Sequence, residues 1–231
     1  MIIDVIIPAY NEEKSIGLVI ADLPKEIIRH IIICNNGSTD NTKIVALSCG
    51  AHVIDIPSKG YGNACLGGIS YLSSLAQKPD IVVFLDGDYS DYPQEIIKLV
   101  DPILTQEADI VIGSRSLGNK EKDAMMPQQV FGNWLATRMI ALLYRYRYTD
   151  LGPFRAISWQ KLLELNMCDR NFGWTVEMQI KAIKNKLRIL EIPVSYRVRI
   201  GKSKVSGTLS GTIGAGYKIL YTIIKYSISN K

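Results

Sequence analysis

The stretch of sequence that decides the fold is Ile81-Val82-Val83-Phe84-Leu85-Asp86-Gly87-Asp88, an apolar run that ends in two carboxylates around a glycine. Five consecutive apolar residues predict a strand buried on both faces, as in a parallel sheet covered by helices. The two aspartates follow this strand at the edge where open α/β sheets bind ligands. Such a pair can hold Mg²⁺ or Mn²⁺ while substrate phosphates complete the coordination shell. The alternative is a pair of solvated turn residues.

Length and composition indicate a soluble or peripheral globular protein. The 231 residues are 47% hydrophobic, enough for a large core, and the net charge of +5 allows anionic substrates or a lipid surface. We expect no nucleic-acid partner, since there is no Arg/Lys-rich run. We also expect no signal peptide, and no apolar stretch reaches the ~18–20 residues of a spanning helix. Four cysteines without C-x-x-C spacing predict buried thiols in a reducing cytoplasm: Cys34, Cys49, Cys65 and Cys168.

The first half of the chain alternates between short apolar runs and amphipathic helical segments. Repeated β-α units predict an α/β fold with a mostly parallel central sheet and helices on both faces. The predicted strands are 2–7, 30–34, 52–56, 80–85 and 109–112, and the predicted helices are 15–23, 41–47, 63–76 and one after Pro93. In the second half we predict helices at 128–146, 159–165, 174–185 and 211–227, and extended segments at 152–157 and 187–193.

Polar loops follow the predicted strands along one rim of this sheet. The loop 8–13 offers an aromatic ring and turn carbonyls to a nucleobase and ribose, or else it is a helix-entry loop whose acidic residues complement the dipole. The loop 35–40 is a cluster of turn-forming residues. Its simpler explanation is that these residues shape the turn and bind no ligand. The loop 59–63 places a lysine and two glycines before a helix N-terminus, which suits a diphosphate.

Motifs in the second half complete an ordered set that spans essentially the whole chain. They are Gly113-Ser114-Arg115, Gly152-Pro153-Phe154-Arg155-Ala156, Glu177-Met178, Glu191-Ile192-Pro193-Val194 and Arg199-Ile200-Gly201-Lys202-Ser203-Lys204. Together with the loops 8–13, 35–40 and 59–63 and with Asp86-Gly87-Asp88, this set resembles glycosyltransferase family 2, whose members have the GT-A fold. Within that family the pattern is most similar to the dolichol- and polyprenyl-phosphate mannose and glucose synthases.

The resemblance implies an inverting enzyme that moves a hexose from a nucleotide diphosphate sugar with the help of Mg²⁺ or Mn²⁺. It also implies one GT-A domain, in which residues 1–113 bind the nucleotide sugar, residues 114–210 bind the acceptor and residues 211–231 form an amphipathic helix. The chemistry suits these residues, because a departing diphosphate gains negative charge that a cation and basic groups stabilise.

The family motifs assign roles to residues of this chain by position. Catalysis falls to Asp86, Asp88, Glu177 and Arg155, and metal binding to Asp86 and Asp88. Nucleotide-sugar binding falls to Pro8, Ala9, Tyr10, Asn11, Glu12, Asn36, Gly37, Lys59, Gly62, Asp86, Gly87 and Asp88. Acceptor binding falls to Arg115, Arg155, Trp174, Arg199 and Lys204, although Arg115 and Arg155 could equally pair with structural carboxylates.

Two departures from the family pattern bear on the substrates. Asn35-Asn36 stands where most members have an aspartate pair, and an amide at Asn36 favours uracil over guanine, hence UDP over GDP. Pro127-Gln128-Gln129 stands where lipid-phosphate synthases tend to carry arginine. The leading acceptor is a polyprenyl phosphate, which is already anionic and needs no general base. The alternative is a hydroxyl of a glycan or small molecule, for which Glu177 would be the base.

Two other classes of protein are compatible with parts of the pattern. A sugar-1-phosphate nucleotidylyltransferase would open with a Gly-rich basic loop after the first strand, and Pro8-Ala9-Tyr10-Asn11 lacks it. A nucleotide-sugar-binding protein without turnover would not need the intact pair Asp86 and Asp88.

The C-terminal helix predicts a membrane surface as a partner. Its apolar stripe with lysines on another face is typical of an interfacial helix, here at the inner face of the cytoplasmic membrane. The alternative is that the stripe packs on the protein's own core or on a second subunit of a homodimer. The stripe consists of Ile213, Tyr217, Leu220, Ile224 and Ile228, and the lysines are Lys218 and Lys225.

Overall fold

A computed structural model describes residues 1–201 and 209–228. Seven strands form one sheet: β1 (Ile3–Ala9), β2 (Ile28–Asn35), β3 (His52–Asp55), β4 (Ile81–Phe84), β5 (Ile110–Ser114), β6 (Arg155–Ser158) and β7 (Ile189–Pro193). The α-helices are α1 (Ile16–Asp22), α2 (Thr42–Ser48), α3 (Tyr61–Ser74), α4 (Ile96–Leu104), α5 (Pro127–Tyr144), α6 (Trp159–Glu164), α7 (Trp174–Lys184) and α8 (Leu209–Ile228). A short 3₁₀ turn, Pro93–Glu95, precedes α4.

The sheet has the strand order β3-β2-β1-β4-β6-β5-β7. Four of its pairings are parallel, and only β6 runs antiparallel to its two neighbours, β4 and β5. The prediction of a mostly parallel sheet is therefore confirmed. The antiparallel direction of β6 was not predicted, because nothing in the short segment Arg155–Ser158 specifies which way it enters a sheet.

Helices cover both faces of the sheet, and alternate strand residues point to each face. Ile6 and Phe84 belong to a core under α3, α5, α6, α7 and α8, whereas Ile7 and Val83 belong to a core under α1, α2 and α4. This double burial of the central strands is why β4 is apolar without interruption. It also leaves their carboxyl ends as the place where polar loops can gather.

The predicted boundaries hold to within a few residues, with two informative differences. Helix α5 ends at Tyr144 rather than at 146, because Arg145 adopts a left-handed backbone conformation (φ 55°) that ends the helix. The extended segment predicted at 152–157 is a shorter strand, β6, that begins at Arg155.

Candidate active site

A cavity of about 650 Å³ opens at the carboxyl ends of β1, β2 and β4. The residues predicted to bind the nucleotide sugar line it, except Asn11, Gly37 and Gly62. Helices α5 and α8 supply the opposite wall. The topology thus brings loops that are distant in sequence to one site, as expected for the carboxyl edge of a parallel sheet.

The two carboxylates that follow β4 lie at this cavity and have different environments. Asp86 is half-buried and accepts a hydrogen bond from the Tyr61 hydroxyl at 3.0 Å. Burial and the charge of Asp88 together raise the pKa of Asp86 to about 7. Asp88 is buried, and its Oδ1 accepts a hydrogen bond of 2.9 Å from the Ser90 backbone N–H, while its Oδ2 lies 3.1 Å from Nη1 of Arg199.

The turn after Asp88 is held in an uncommon conformation. Tyr89 has a left-handed backbone (φ 65°), and its hydroxyl donates to Oδ2 of Asp22 at 2.7 Å. The Arg197 guanidinium stacks on the rings of Tyr89 and Tyr92, 3.3 Å and 4.2 Å from their centroids, and its Nε donates to the Tyr89 carbonyl at 2.7 Å. These contacts fix the turn that aims Asp88, and they compensate a backbone conformation that a tyrosine rarely adopts.

A third carboxyl group lies beneath the pair. Asp91 is 1% exposed, and within the described residues neither of its oxygens has a hydrogen-bond partner. Burial, and then the charges of Asp86 and Asp88, raise the pKa of Asp91 well above its usual range. We did not predict a role for it, although the spacing Asp-x-Asp-x-x-Asp was visible in the sequence.

Arg199 joins two of the loops across the cavity. Its Nη1 contacts Asp88, and its Nη2 lies 3.4 Å from Oε1 of Glu12. Glu12 in turn accepts a hydrogen bond from the Ser15 hydroxyl at 3.0 Å. The basic segment predicted to face phosphate therefore does reach the cavity at Arg199. Lys204 lies outside the described residues.

The two asparagines after β2 hold the neighbouring turns. Asn35 donates to Asp55 at 2.8 Å. Both amide hydrogens of Asn36 are directed at backbone carbonyls, Ser58 at 2.8 Å and Ile56 at 3.3 Å, and its Oδ1 accepts from the Gly60 N–H at 2.7 Å. Asn36 lines the cavity, but its amide donors are already used. It shapes the wall of the cavity more directly than it could donate to a base.

The loop 59–63 only partly matches the predicted diphosphate cradle. Lys59 lines the cavity, with its ammonium 5.5 Å from the centroid of the Tyr10 ring, and Gly60 lines it too. Gly62 does not, because the backbone of residues 169–171 packs directly against it. The N–H of Asn63 is already hydrogen-bonded to the Arg170 carbonyl at 3.0 Å. This glycine therefore permits a close backbone approach rather than phosphate binding.

Arg115 reaches the cavity from β5 while paired with a buried carboxylate. It donates from Nε and Nη2 to the two oxygens of Asp150, both at 2.8 Å, and its guanidinium lies 5.1 Å from the centroid of the Tyr196 ring. Burial opposes its charge, but Asp150 raises the pKa of Arg115 well above the usual value. Arg115 therefore pairs with a structural carboxylate, Asp150, which was one of its two predicted alternatives. The side of its guanidinium that lines the cavity remains available to an anion.

Three residues predicted to touch substrate lie away from the cavity. Arg155 is fully buried and donates to the backbone carbonyls of Thr175 and Gly152. Trp174 is 1% exposed and packs edge-on against Phe84, with ring centroids 5.8 Å apart. Glu177 is also fully buried. None of the three lines the cavity, and the strong burial at β6 and α7 that keeps them from it is not visible in short motifs.

The sequence motifs did not identify the helical wall of the cavity. Only a weak sequence signal marks this wall, namely glycine and amide residues within otherwise apolar helices. The additional lining residues are Gln128, Gln129, Gly132 and Asn133 of α5, Asn171 and Phe172 before α7, and Ala215, Gly216 and Ile219 of α8.

The donor set of the site suits a divalent cation that is completed by its substrate. Across residues 1–201 and 209–228, no three His, Cys, Asp or Glu side chains are grouped to hold a metal ion. Asp86 and Asp88 nevertheless present hard oxygen atoms at the cavity, and their mutual repulsion is what a bound cation would relieve. Mg²⁺ and Mn²⁺ are commonly held by one or two carboxylates together with substrate phosphates.

The fold and the site together are those of a nucleotide-sugar transferase, and the sequence places the chain within that class. Residues 4–165 match the profile described as "Glycosyl transferase family 2". The chain belongs to this family and is a glycosyltransferase with the GT-A fold.

Full-length relatives agree with this assignment. An uncharacterised glycosyltransferase of Mycobacterium tuberculosis is 35% identical, over 91% of this chain and 93% of that protein. The UDP-N-acetylglucosamine–dolichyl-phosphate N-acetylglucosaminyltransferase of Methanococcus voltae is 32% identical, over 96% of this chain and 95% of the relative.

Among solved structures, glucosyl-3-phosphoglycerate synthase of Mycobacterium tuberculosis, crystallised with Mn²⁺, UDP and phosphoglyceric acid, superposes with a TM-score of 0.77. The match covers 100% of this chain and 80% of that one. At 22% identity, this similarity establishes the fold alone.

In the parts of the chain that the structure describes, no helix combines the length and apolar character needed to cross a bilayer.

Proposed function

We propose that this glycosyltransferase moves a hexose, with inversion, from a UDP-sugar to a polyprenyl phosphate at the inner face of the cytoplasmic membrane. The observation that carries the proposal is the set of acidic groups at the cavity. Among its described lining residues these are Glu12, Asp86 and Asp88, and no histidine lines it. Glu12 is bonded to Arg199 and Ser15, and the aspartate pair suits a cation. None of these three carboxylates is then left as a general base, and an acceptor that is already anionic requires none.

The donor end of the cavity has the groups that a nucleotide diphosphate needs. Asp86 and Asp88 would hold Mg²⁺ or Mn²⁺, which when bound neutralises charge on the departing diphosphate. Lys59 and Arg199 add positive charge nearby, and the Tyr10 ring offers a stacking face to a base. Because these groups stand at the cavity before the substrate arrives, they stabilise the leaving group without reorganising.

We favour UDP over GDP as the nucleotide. The name of the Methanococcus voltae relative specifies a UDP-sugar donor, and that of the solved glucosyl-3-phosphoglycerate synthase complex includes UDP. Asn36 adds little to this preference, since its amide hydrogens contact the Ser58 and Ile56 carbonyls. A comparison of UDP and GDP by thermal shift with Mn²⁺ decides the matter, and tighter binding of GDP would overturn this preference.

The acceptor end lies between α5 and α8, where two glycines leave room for a hydrocarbon chain. Gly132 and Gly216 both line the cavity, and a Cβ atom added at either would meet no atom within 4 Å. Phe172 and Ile219 supply apolar surface beside them. Arg115, at the same cavity, could contact the acceptor phosphate. Two further relatives are named as a dolichyl-phosphate hexose transferase and an undecaprenyl-phosphate mannosyltransferase.

An exposed apolar surface on α5 and α8 favours contact with a membrane. On α8 the predicted stripe is exposed, except that Leu220 packs toward the core and Tyr221 joins the exposed side. A homodimer interface would be the alternative to membrane contact as a way to cover this surface. We call it the apolar face. The apolar face consists of Phe131 and Trp134 of α5 and Ile213, Tyr217, Tyr221, Ile224 and Ile228 of α8.

The decisive experiment compares a polyprenyl phosphate with the matching polyprenol. The full chain is incubated with Mn²⁺, a panel of radiolabelled UDP- and GDP-hexoses, and either lipid in detergent. We expect a labelled lipid product with the phosphate only. Product with the polyprenol, or with glycan hydroxyls alone, would overturn the proposed acceptor.

Membrane contact is tested by sedimentation with anionic liposomes at low and high salt. We expect the wild-type chain to pellet and Trp134→Ser to pellet much less, because an exposed tryptophan anchors at the lipid interface. Leu163→Ser, which changes an exposed leucine on α6, is the matched control. If Trp134→Ser and Leu163→Ser pellet to the same extent, the assignment of the apolar face as the membrane-contacting surface is contradicted.

A further inference from the structure

Glu177 is the centre of a buried polar cluster that joins three segments of the chain. Its carboxylate accepts hydrogen bonds from the backbone N–H of Asp169 at 2.7 Å and from the hydroxyl of Tyr226 at 2.6 Å. The thiol of Cys168 lies 3.0 Å away and Nζ of Lys181 2.8 Å away. Burial opposes the charge of Glu177, but these donors outweigh it and keep the pKa of Glu177 below its usual value.

The donors to Glu177 come from the elements that form the acceptor wall of the cavity. Tyr226 is on α8, whose Gly216 and Ile219 line the cavity. Cys168 and Asp169 begin the loop that carries Asn171 and Phe172 into the same wall. One carboxylate on α7 therefore anchors two separate parts of the acceptor side.

Further polar contacts hold α8 against the loop 168–172, α7 and α5. Nζ of Lys218 lies 3.0 Å from Oδ2 of Asp169, so the loop and the helix are also paired directly. Lys184 of α7 donates to the Tyr226 carbonyl at 3.1 Å, and the Tyr144 hydroxyl of α5 donates to the Ile223 carbonyl at 2.6 Å. In contrast, the outward side of α8 is the apolar face. Ile223 and Tyr226 pack α8 on the core, and these polar contacts then fix its position over the cavity. The contact to Glu177 is both charge-assisted and buried.

We propose that Glu177 is a positioning residue for the acceptor, which fixes α8 and the loop 168–172 against α7 and so sets the width of the acceptor half of the cavity. This inference rests on the proposed function for the identity of the acceptor, but the anchoring itself does not. It replaces the role of general base, since the carboxylate faces α8 and the loop instead of the cavity.

The contact between Tyr226 and Glu177 can be removed with little change in shape. Tyr226→Phe deletes one hydroxyl and leaves the ring in place, and Glu177→Gln removes the charge at nearly constant volume. Tyr148→Phe is a matched control, because the Tyr148 hydroxyl also makes a buried hydrogen bond, to the Gln179 carbonyl at 3.0 Å, but does not contact α8.

Two readouts separate positioning from general stability. Amide hydrogen exchange in peptides from 209–228 should accelerate about tenfold in Tyr226→Phe, as expected for loss of a hydrogen bond to a charged group, while exchange in β1 and β4 is unchanged. The KM for polyprenyl phosphate should rise about tenfold with the donor KM within about twofold of wild type. Glu177→Gln should also accelerate hydrogen exchange in α8 and raise the KM for polyprenyl phosphate. Tyr148→Phe should change neither quantity.

The outcomes distinguish this inference from the proposed function. If exchange in α8 is the same in wild type, Tyr226→Phe and Glu177→Gln, then Glu177 does not anchor the helix and the inference is overturned. If Tyr226→Phe raises the donor KM as much as the acceptor KM, selective positioning of the acceptor is overturned as well. If wild type does not use polyprenyl phosphate, the proposed function fails alone, and the exchange experiment still decides the anchoring.

Discussion

Replacing Gly62 with alanine should loosen the acceptor wall, because the loop 169–171 packs directly against this glycine. The new Cβ would overlap the carbonyl oxygen of Asp169 and would lie 2.7 Å from the carbonyl carbon of Arg170 and 2.8 Å from the N atom of Asn171. All three are backbone atoms, so no side-chain rotation can relieve the overlap, and the loop itself has to move.

The size of the effect follows from two opposing contributions. Forced overpacking in a well-packed region costs about 1–3 kcal/mol. Alanine in place of glycine inside a helix returns at most about 1 kcal/mol. We therefore expect Gly62→Ala to lower the free energy of unfolding by about 1–2 kcal/mol, with a fall in Tm of about 2–8 °C for a chain of this size.

Gly67→Ala provides the matched comparison within the same helix, α3. There the new Cβ would overlap the end of the Ile56 side chain, which can rotate away. We expect this variant to stay within about 0.5 kcal/mol of wild type in thermal unfolding. In turnover assays Gly62→Ala should lose about tenfold in kcat/KM, because Asn171 and Phe172 leave the cavity wall with the loop. Equal stability and equal turnover of the two variants would show that the approach of the loop to Gly62 is not needed.

Three other substitutions test the two ends of the cavity. Asp88→Asn should reduce turnover by at least about 10²-fold in an assay of UDP release with Mn²⁺, and near-normal turnover would remove the metal role. Lys59→Met should weaken UDP binding about tenfold in calorimetric titrations and reduce its salt dependence, and unchanged affinity would mean that Lys59 does not contact the diphosphate. Gly216→Leu should raise the acceptor KM about tenfold or more without changing UDP affinity, because it fills open space between α5 and α8. A parallel loss of UDP affinity would contradict that placement.

The donor half of the site could be predicted because its signals are local. A strand buried on both faces needs an unbroken apolar run, and polar residues placed directly after it must emerge at the carboxyl edge. Asp86, Asp88 and Tyr10 follow from this rule without knowledge of tertiary contacts. The same rule correctly places Lys59, which lies in the loop after β3.

The acceptor half could not be predicted, because its residues acquire their roles through contacts between distant segments. Gly62 resembles a phosphate-binding glycine in sequence, yet its purpose depends on a loop more than 100 residues further along the chain. Glu177 resembles a catalytic acid until its bond to Tyr226 is seen. Gly216 has no distinguishing neighbours at all, and only the packing of α8 beside α5 gives it a place at the cavity.

The position of β6 has a consequence for how the chain acquires its structure during synthesis. This strand, Arg155–Ser158, separates β4 from β5 in the sheet, so a nascent chain that ends at residue 113 has nothing to join them. The apolar edge of β4 that pairs with β6 therefore stays unpaired until more than 40 further residues have been synthesised. An unpaired apolar edge invites association with other chains. A fragment of residues 1–113 should therefore aggregate when expressed alone, and a split pair of fragments should recover solubility only if the second one includes Arg155–Ser158.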